Sequence, residues 1–336
     1  MGVGVSLSSL ASAVACEGGI GVISGVQIGY DEPDFLTNNS EANVRALKRH
    51  IKKAKDICKD GILGLNLLTA MTNYKEMVLA AVEMKIDIII SGAGLPLDLP
   101  SLVEGSDTKI VPIVSSGKAA AVISKMWDRK YKRLPDMVIV EGADAGGHLG
   151  FTKEELLNKD YKSLEELVVE VIEALKPYME KYQVDIPVIA AGGIFTGEDI
   201  AKFIKLGASG VQMGTRFVGT HECDAHINFK NSYINAEYED IRLVQSPVGM
   251  PGRAVNNEFT KKLDIENVPV KRCYDCLVPC NPATTPYCIS QALIQSVTGD
   301  MANGLVFAGS NAYKVNKIVS VKELMKELVE EAEKFL

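Results

Sequence analysis

Seven short apolar runs constrain the fold of this 336-residue chain more than any other feature. Each run ends in glycine or polar loop residues, and helical patterns separate the runs. They lie at residues 19–24, 61–68, 86–94, 109–116, 136–143, 186–193 and 210–215. Near-continuous apolar strands of this kind indicate a parallel sheet that is buried on both faces. We predict a (β/α)₈ TIM barrel, although seven strands are one short of the full number. A doubly wound open sheet is the alternative.

Local signals also predict how the chain is organised outside these strands. Ser163 with Glu166, and Ser320 with Glu323, form capping-box patterns ahead of apolar helical periodicity. The strand–helix rhythm breaks at a polar stretch that contains the sequence QSPVGMPGRAVNN. We therefore predict an α/β barrel domain at residues 1–225, a small cap or insertion at 226–300, and a C-terminal segment with a helix that returns to the barrel at 301–336.

The composition argues against several classes of protein. With 36 basic and 43 acidic residues the net charge is −7, and aromatic residues make up only 6% of the chain, which disfavours a nucleic-acid-binding surface. No apolar run is long enough to span a membrane, and the N-terminal stretch lacks the basic residues of a signal peptide. The seven cysteines, an odd number, suit a reducing compartment. We expect a cytoplasmic protein that binds neither nucleic acid nor membrane.

The ends of the last two predicted strands carry the features of an anion site. Gly192 and Gly193 end one strand. The next strand ends in the run Gln212, Met213, Gly214 and Thr215. In TIM barrels the loops after strands seven and eight often bind phosphate through backbone N–H groups, and glycine lets those donors approach closely. Thr215 can add a hydroxyl and Arg216 a positive charge. The alternative is that these glycines only form tight strand-to-helix turns.

The segment EGADAGGHLG, residues 141–150, follows another apolar strand and contains one of only four histidines. Gly146 and Gly147 let the backbone approach a flat cofactor, which leaves the His148 imidazole facing whatever lies above it. A histidine titrates near neutrality, so it can donate a proton or hold an anionic substrate by hydrogen bonds. The alternative is a loop histidine with a structural role. Asn66, at another strand end, is a neutral amide suited to the edge of a flavin ring.

Three motifs, in order, resemble the nitronate monooxygenase family, formerly called 2-nitropropane dioxygenases. They are EGADAGGHLG, IPVIAAGGI and LGASGVQMGTRF. Members of this family are FMN-dependent barrels, and the same superfamily includes the type II enoyl-ACP reductases. The resemblance implies that His148 is the catalytic residue. It also implies that FMN contacts Asn66, Glu141, Gly146, Gly193, Gln212, Met213, Gly214 and Thr215.

The N-terminus departs from that family pattern. Relatives usually begin with a strand that reads approximately PIIQGGMGVG, whereas this chain opens at MGVGVS. The first barrel strand and its glycines are therefore expected to be missing. Because an incomplete barrel exposes strand edges and loses part of the flavin wall, we expect poor retention of FMN by this chain.

Four cysteines fall within one short stretch, CYDCLVPCNPATTPYC. Their spacing is C-x₂-C-x₃-C-x₇-C, and they are Cys273, Cys276, Cys280 and Cys288. Four clustered thiolates suit a tetrahedral zinc ion or an iron–sulfur cluster. The alternative is a loop with four free thiols, and the spacing does not choose between these readings.

The family resemblance leaves three functions open. The first is oxidation of an alkyl nitronate with O₂, in which FMN accepts an electron and His148 positions the anionic substrate. The second is NAD(P)H-dependent reduction of an enoyl thioester, in which His148 protonates the α-carbon. The third is a catalytically idle flavin-binding protein. The long cysteine-bearing cap favours the first, and a homodimer is left open.

Overall fold

The larger of two β-sheets has the strand order of a barrel. The computed structural model describes residues 2–336, in which seven parallel strands pair in the order β1-β2-β3-β4-β5-β7-β8. They are β1 (Ile20–Ser24), β2 (Ile62–Leu68), β3 (Ile88–Gly92), β4 (Lys109–Val114), β5 (Val138–Glu141), β7 (Val188–Ala191) and β8 (Gly210–Gln212). The smaller sheet is antiparallel and contains β6 (Gly147–His148), β9 (Ile241–Gln245) and β10 (Pro251–Val255). All seven predicted strands are confirmed. A doubly wound sheet reverses its strand order, and this sheet does not.

Helices surround the larger sheet and close a ring. In chain order they are α1 (Ser8–Cys16), α2 (Asn39–Ile57), α3 (Tyr74–Glu83), α4 (Leu99–Leu102), α5 (Gly117–Tyr131), α6 (Lys153–Asn158), α7 (Leu164–Tyr182), α8 (Gly197–Lys205), α9 (Thr215–Val218), α10 (Ile227–Ile234), α11 (Glu258–Leu263), α12 (Ile289–Thr298) and α13 (Val321–Phe335). The C-terminal helix α13 packs against both α8 and α1. The helical layer is therefore continuous where the last helix meets the first.

The two predicted capping boxes form as expected. The Ser163 hydroxyl accepts the backbone N–H of Glu166 at the start of α7, and the Glu166 carboxylate accepts the backbone N–H of Ser163. Ser320 and Glu323 make the same reciprocal pair at the start of α13. These contacts satisfy N–H groups that a helix leaves without partners in its first turn.

The sheet is open between β8 and β1, where a complete barrel would hold one more strand. Among residues 2–336, no strand precedes α1. The chain at Val5 and Ser6 instead bridges the gap: the Val5 carbonyl accepts the backbone N–H of Asp224 (3.2 Å), and the Ser6 carbonyl accepts that of Ser24 (2.8 Å). The Asp224 carboxylate then accepts the backbone N–H of Leu7 at 2.7 Å, at the N-terminus of α1. The prediction of a TIM barrel that lacks its first strand is confirmed.

The predicted cap shares its packing with the barrel. One buried cluster includes Val218, which follows β8, Phe229 and Tyr287 of the predicted cap, and Val321 of the C-terminal helix. The boundaries at residues 225 and 300 are therefore not marked by separate cores, and they stay a prediction. Within residues 2–336, no helix combines the length and the apolar character that crossing a membrane requires.

Candidate active site

One large cavity opens at the carboxyl ends of the barrel strands. Its volume is about 1380 Å³. The residues predicted to bind the cofactor or to act on the substrate all line it: Asn66, Glu141, Gly146, Gly147, His148, Gly192, Gly193, Gln212, Met213, Gly214 and Thr215. These residues come from the ends of β2, β5, β7 and β8 and from β6. The parallel sheet brings them together because the carboxyl ends of its strands meet at one face.

The glycine-rich loops pack backbone against backbone at this face. Gly192 and Gly193 have φ angles of +100° and +80°, a region that side chains other than glycine rarely adopt. A Cβ on Gly146 would lie 2.5 Å from the carbonyl carbon of Ala308. The Asn311 side-chain amide donates to the Gly193 carbonyl at 2.6 Å. These glycines therefore bring the chain segment that follows the cap into contact with the barrel loops.

The loop after β8 has open space and one hydroxyl, but its arginine is engaged elsewhere. A Cβ on Gly214 would meet no atom within 4 Å. The Thr215 hydroxyl accepts the backbone N–H of Gly309 at 3.3 Å. Arg216 pairs with Glu327 of α13 at 2.7 Å and stacks over the Phe195 ring at 4.6 Å. In this structure Arg216 therefore pairs with α13 and does not line the cavity, and its contribution to an anion site stays a prediction.

His148 lies in a strand and not in a free loop, which corrects the expectation from its glycine neighbours. It forms β6 with Gly147 and pairs with Gly252 of β10. Its Nε2 atom is 2.6 Å from the Ser246 hydroxyl oxygen. The Phe307 ring packs edge-on against the imidazole with centroids 5.1 Å apart. Burial lowers the pKa of His148 to about 4, so the imidazole is neutral at pH 7.

The contacts that fix His148 come from the predicted cap, and the sequence did not predict them. Ser246 is buried, and the Tyr287 hydroxyl donates to the carbonyl of the preceding residue, Gln245, at 3.1 Å. Arg253 of β10 donates to the carbonyls of Ala143 and Ala145, the latter at 2.7 Å, and so holds the loop ahead of His148. The signal in the sequence was SPVGMPGR, whose glycines and prolines mark the turn between β9 and β10.

A carboxyl group faces the same cavity as His148. Glu141 is the last residue of β5, in register with Ala191 of β7. Burial raises its pKa to about 7, from an ordinary value of 4.5. The cavity thus holds a neutral imidazole and a carboxyl group that is partly protonated at pH 7. Titratable groups whose pKa values are displaced by burial are typical of catalytic sites.

The four clustered cysteines lie in the predicted cap and are not paired in disulfides. Cys273 is exposed, and Cys276, Cys280 and Cys288 are partly buried. In the described part of the chain, residues 2–336, no three His, Cys, Asp or Glu side chains are placed so that they could hold one metal ion. The structure therefore gives no support to the predicted zinc site.

Comparison with known proteins agrees with this fold. Residues 1–331 match the family described as nitronate monooxygenase. The structure of FabK from Thermotoga maritima superposes with a TM-score of 0.75 at 26% identity, covering 98% of this chain and 90% of that one. A nitroalkane oxidase from Streptomyces ansochromogenes, 20% identical with a TM-score of 0.75, covers 100% of this chain and 94% of its own and shares the fold.

Two curated relatives match over parts of their length. A probable nitronate monooxygenase of Staphylococcus saprophyticus is 36% identical over 38% of this chain and 34% of its own. An indene-carboxyl-CoA dehydrogenase of Rhodococcus jostii is 25% identical over 76% of this chain and 61% of its own. The chain thus spans less than two thirds of the length of these relatives.

Proposed function

We propose that this chain, which belongs to the nitronate monooxygenase family, is an FMN-dependent oxidoreductase that oxidises alkyl nitronates with O₂. One observation carries the proposal. The residues that the family resemblance assigns to FMN, and the histidine that it assigns to catalysis, all line a single cavity at the catalytic face of the barrel.

The residues present fit the cofactor. The open space at Gly214 and the positive φ angles of Gly192 and Gly193 leave backbone N–H groups accessible to a phosphate, with the Thr215 hydroxyl beside them. Asn66 and Glu141, at the ends of β2 and β5, offer an amide and a carboxyl group to the edge of the flavin ring. Bound FMN supplies a redox centre that takes electrons from the substrate and passes them to O₂.

His148 would position the substrate in this proposal. A nitronate is already an anion, so the enzyme does not need a base to remove a proton from it. With Nε2 accepting from the Ser246 hydroxyl, the proton of the neutral ring would sit on Nδ1, which could then donate to a nitronate oxygen. The Phe307 ring and the β6–β10 pairing hold the imidazole in one orientation. An imidazole fixed in this way orients the substrate without having to change its charge.

Reduction of an enoyl thioester is the second candidate, favoured by the superposition on FabK over 98% of this chain. In that reaction a side chain must give a proton to the α-carbon of the substrate. A histidine whose pKa lies near 4 is neutral at pH 7 and is a poor proton donor. Glu141, with its pKa near 7, is the better donor in this cavity. Enoyl reduction in this cavity would therefore depend on Glu141 and not on His148 for its proton.

Steady-state assays of FMN-loaded protein test the proposal. We expect O₂ uptake with an alkyl nitronate and little NADH oxidation with a short enoyl thioester. His148→Asn should lower the nitronate-dependent rate by about 100-fold, because removal of one preorganised hydrogen-bond donor to a reacting oxygen typically costs about 10²–10³-fold. His221→Asn, at an exposed histidine outside the cavity, is the matched control and should keep the wild-type rate. Equal rates in wild type and His148→Asn would contradict the proposed role of His148.

A further inference from the structure

The cavity extends well beyond the residues assigned to FMN and to catalysis. Its volume of about 1380 Å³ exceeds the roughly 300–1,000 Å³ of typical ligand sites. Its lining includes Ile20 and Ile88, the first residues of β1 and β3, and Met137, which comes just before β5. The cavity therefore runs from the carboxyl ends of the strands through the barrel to their amino ends.

The charged residues of the lining are confined to one end of the cavity. In the described part of the chain, residues 2–336, every Asp, Glu, Lys, Arg or His that lines the cavity lies between Glu141 and Glu170. This is the end where His148 lies. The opposite end, called here the apolar arm, is lined by Val14 of α1, Ile20 and Val22 of β1, Val211 of β8, and Met325 and Val329 of α13.

The apolar arm lies at the gap between β8 and β1. Val211 and Val22 belong to the two strands that border the gap, and both are only partly buried. Ile90 and Ile139, which line the same cavity from the middle of the sheet, are 4% and 2% exposed. Helix α13 covers the gap from outside, since it packs against both α8 and α1. A gap that lacks one strand is wide enough for one extended chain, because neighbouring strands lie about 4.8 Å apart.

The apolar arm reaches the protein surface at the amino end of β1. Ile20 and Val329 both line the cavity and are 39% and 50% exposed. A Cβ on Gly18, just before β1, would meet no atom within 4 Å. Strand β1 has five residues, so the arm beside it is about 16 Å long. A long, narrow space with apolar walls and an open end suits a linear apolar chain.

We propose that the apolar arm binds the alkyl chain of a linear, long-chain substrate whose nitronate group lies at His148. This inference rests on the proposed function, because it names the substrate class of the same site. Each methylene group that leaves water for the arm should tighten binding about fourfold. A charged chain would instead lose its hydration against the side chains of Val22, Val211 and Met325.

A chain-length series on full-length, FMN-loaded protein tests the proposal. The nitronates of nitroethane, nitrobutane, nitrohexane and nitrooctane give KM in the oxidation assay. The linear alkanoates of the same chain lengths give Kd without turnover, by isothermal titration calorimetry. We expect both constants to fall about fourfold for each added methylene group.

A larger side chain in the apolar arm should shorten the chain that it accepts. Val22→Phe should raise the Kd for octanoate about tenfold or more, the loss of two buried methylene groups, and leave the Kd for acetate unchanged. Val329→Trp, at the exposed outer end, is a second variant with little risk to folding and should weaken binding of octanoate alone. Val169→Phe is the matched control, because Val169 is 43% exposed on α7 and lies outside the cavity. Denaturant midpoints check that each variant folds.

The outcomes separate this proposal from the proposed function. Alkanoate binding that tightens with chain length, without oxidation of any nitronate, would support the alkyl-chain site and contradict nitronate oxidation. Nitronate oxidation with KM and Kd independent of chain length would do the reverse. An unchanged chain-length dependence in Val22→Phe would also overturn the proposal. So would displacement of octanoate by a short peptide of alternating valine and threonine, which would assign the arm to an extended peptide.

Discussion

Replacing Gly214 by alanine tests directly whether the cavity holds a flavin. A Cβ at this position would meet no protein atom within 4 Å. The backbone has φ −121° and ψ −52°, so φ lies outside the left-handed region that only glycine favours. The substitution should therefore leave the free energy of unfolding of the apoprotein nearly unchanged, or raise it slightly through lower entropy of the unfolded chain.

Gly214→Ala should instead weaken the binding of FMN. If the FMN phosphate occupies the open space, the new methyl group keeps it away from the backbone N–H donors of the loop after β8. Hydrogen bonds to a charged group contribute about 1.5–3 kcal/mol each. Loss of one such bond should raise the Kd for FMN by about 10- to 100-fold. Titration of apoprotein with FMN, followed by quenching of flavin fluorescence, measures this change.

Gly146→Ala is the comparison variant, because the same added methyl group has the opposite effect. Its Cβ would lie 2.5 Å from the Ala308 carbonyl carbon and 2.6 Å from the Gly309 nitrogen, and backbone atoms cannot move aside as a side chain can. We expect this variant to lose about 1–3 kcal/mol in the free energy of unfolding. An unchanged Kd for FMN in Gly214→Ala would refute the assignment of this space to the cofactor.

Two further predictions concern the polar groups of the cavity. Ser246→Ala removes the hydroxyl that holds His148. We therefore expect kcat to fall about tenfold at nearly constant KM, and the free energy of unfolding to fall by about 1–3 kcal/mol. Ser101→Ala, at an exposed serine, is the control, and a change in KM alone would contradict a positioning role for Ser246. Burial raises the pKa of Glu141 to about 7, so the folded protein keeps a proton that the unfolded chain releases near pH 4.5. This proton contributes on the order of 2 kcal/mol to the free energy of unfolding; the contribution is complete below pH about 4.5 and is lost as the pH rises through 7. Denaturant unfolding at pH 5 and pH 8 measures this pH dependence, which Glu141→Gln should remove.

The strands and helix starts could be predicted because their signals are local. An apolar run of residues 86–94 or 186–193 marks a buried strand wherever its neighbours lie, and the Ser163–Glu166 capping box is complete within four residues. The strand ends then placed His148 and the glycine loops at one face, since parallel strands share their orientation. This part of the site needed no knowledge of long-range contacts.

The rest of the site depends on contacts between distant parts of the chain. Ser246 is 98 residues from His148, and Glu327 is 111 residues from Arg216. No local pattern shows that the β9–β10 hairpin of the predicted cap pairs with β6, or that Arg216 pairs with Glu327 of α13. The spacing of Cys273, Cys276, Cys280 and Cys288 likewise shows that four thiols are close in sequence but does not give the distances between their sulfur atoms.

Absorbance spectra recorded without oxygen test the central claim most directly. FMN-loaded protein would receive an alkyl nitronate in one cuvette and NADH in another, with His148→Asn treated in parallel. We predict that the nitronate bleaches the flavin absorption in the wild type, that NADH does not, and that bleaching in His148→Asn is about 100-fold slower. Bleaching by NADH and not by the nitronate would contradict nitronate oxidation and favour the enoyl reductase; absence of flavin binding at saturating FMN would contradict the assignment of the cavity itself.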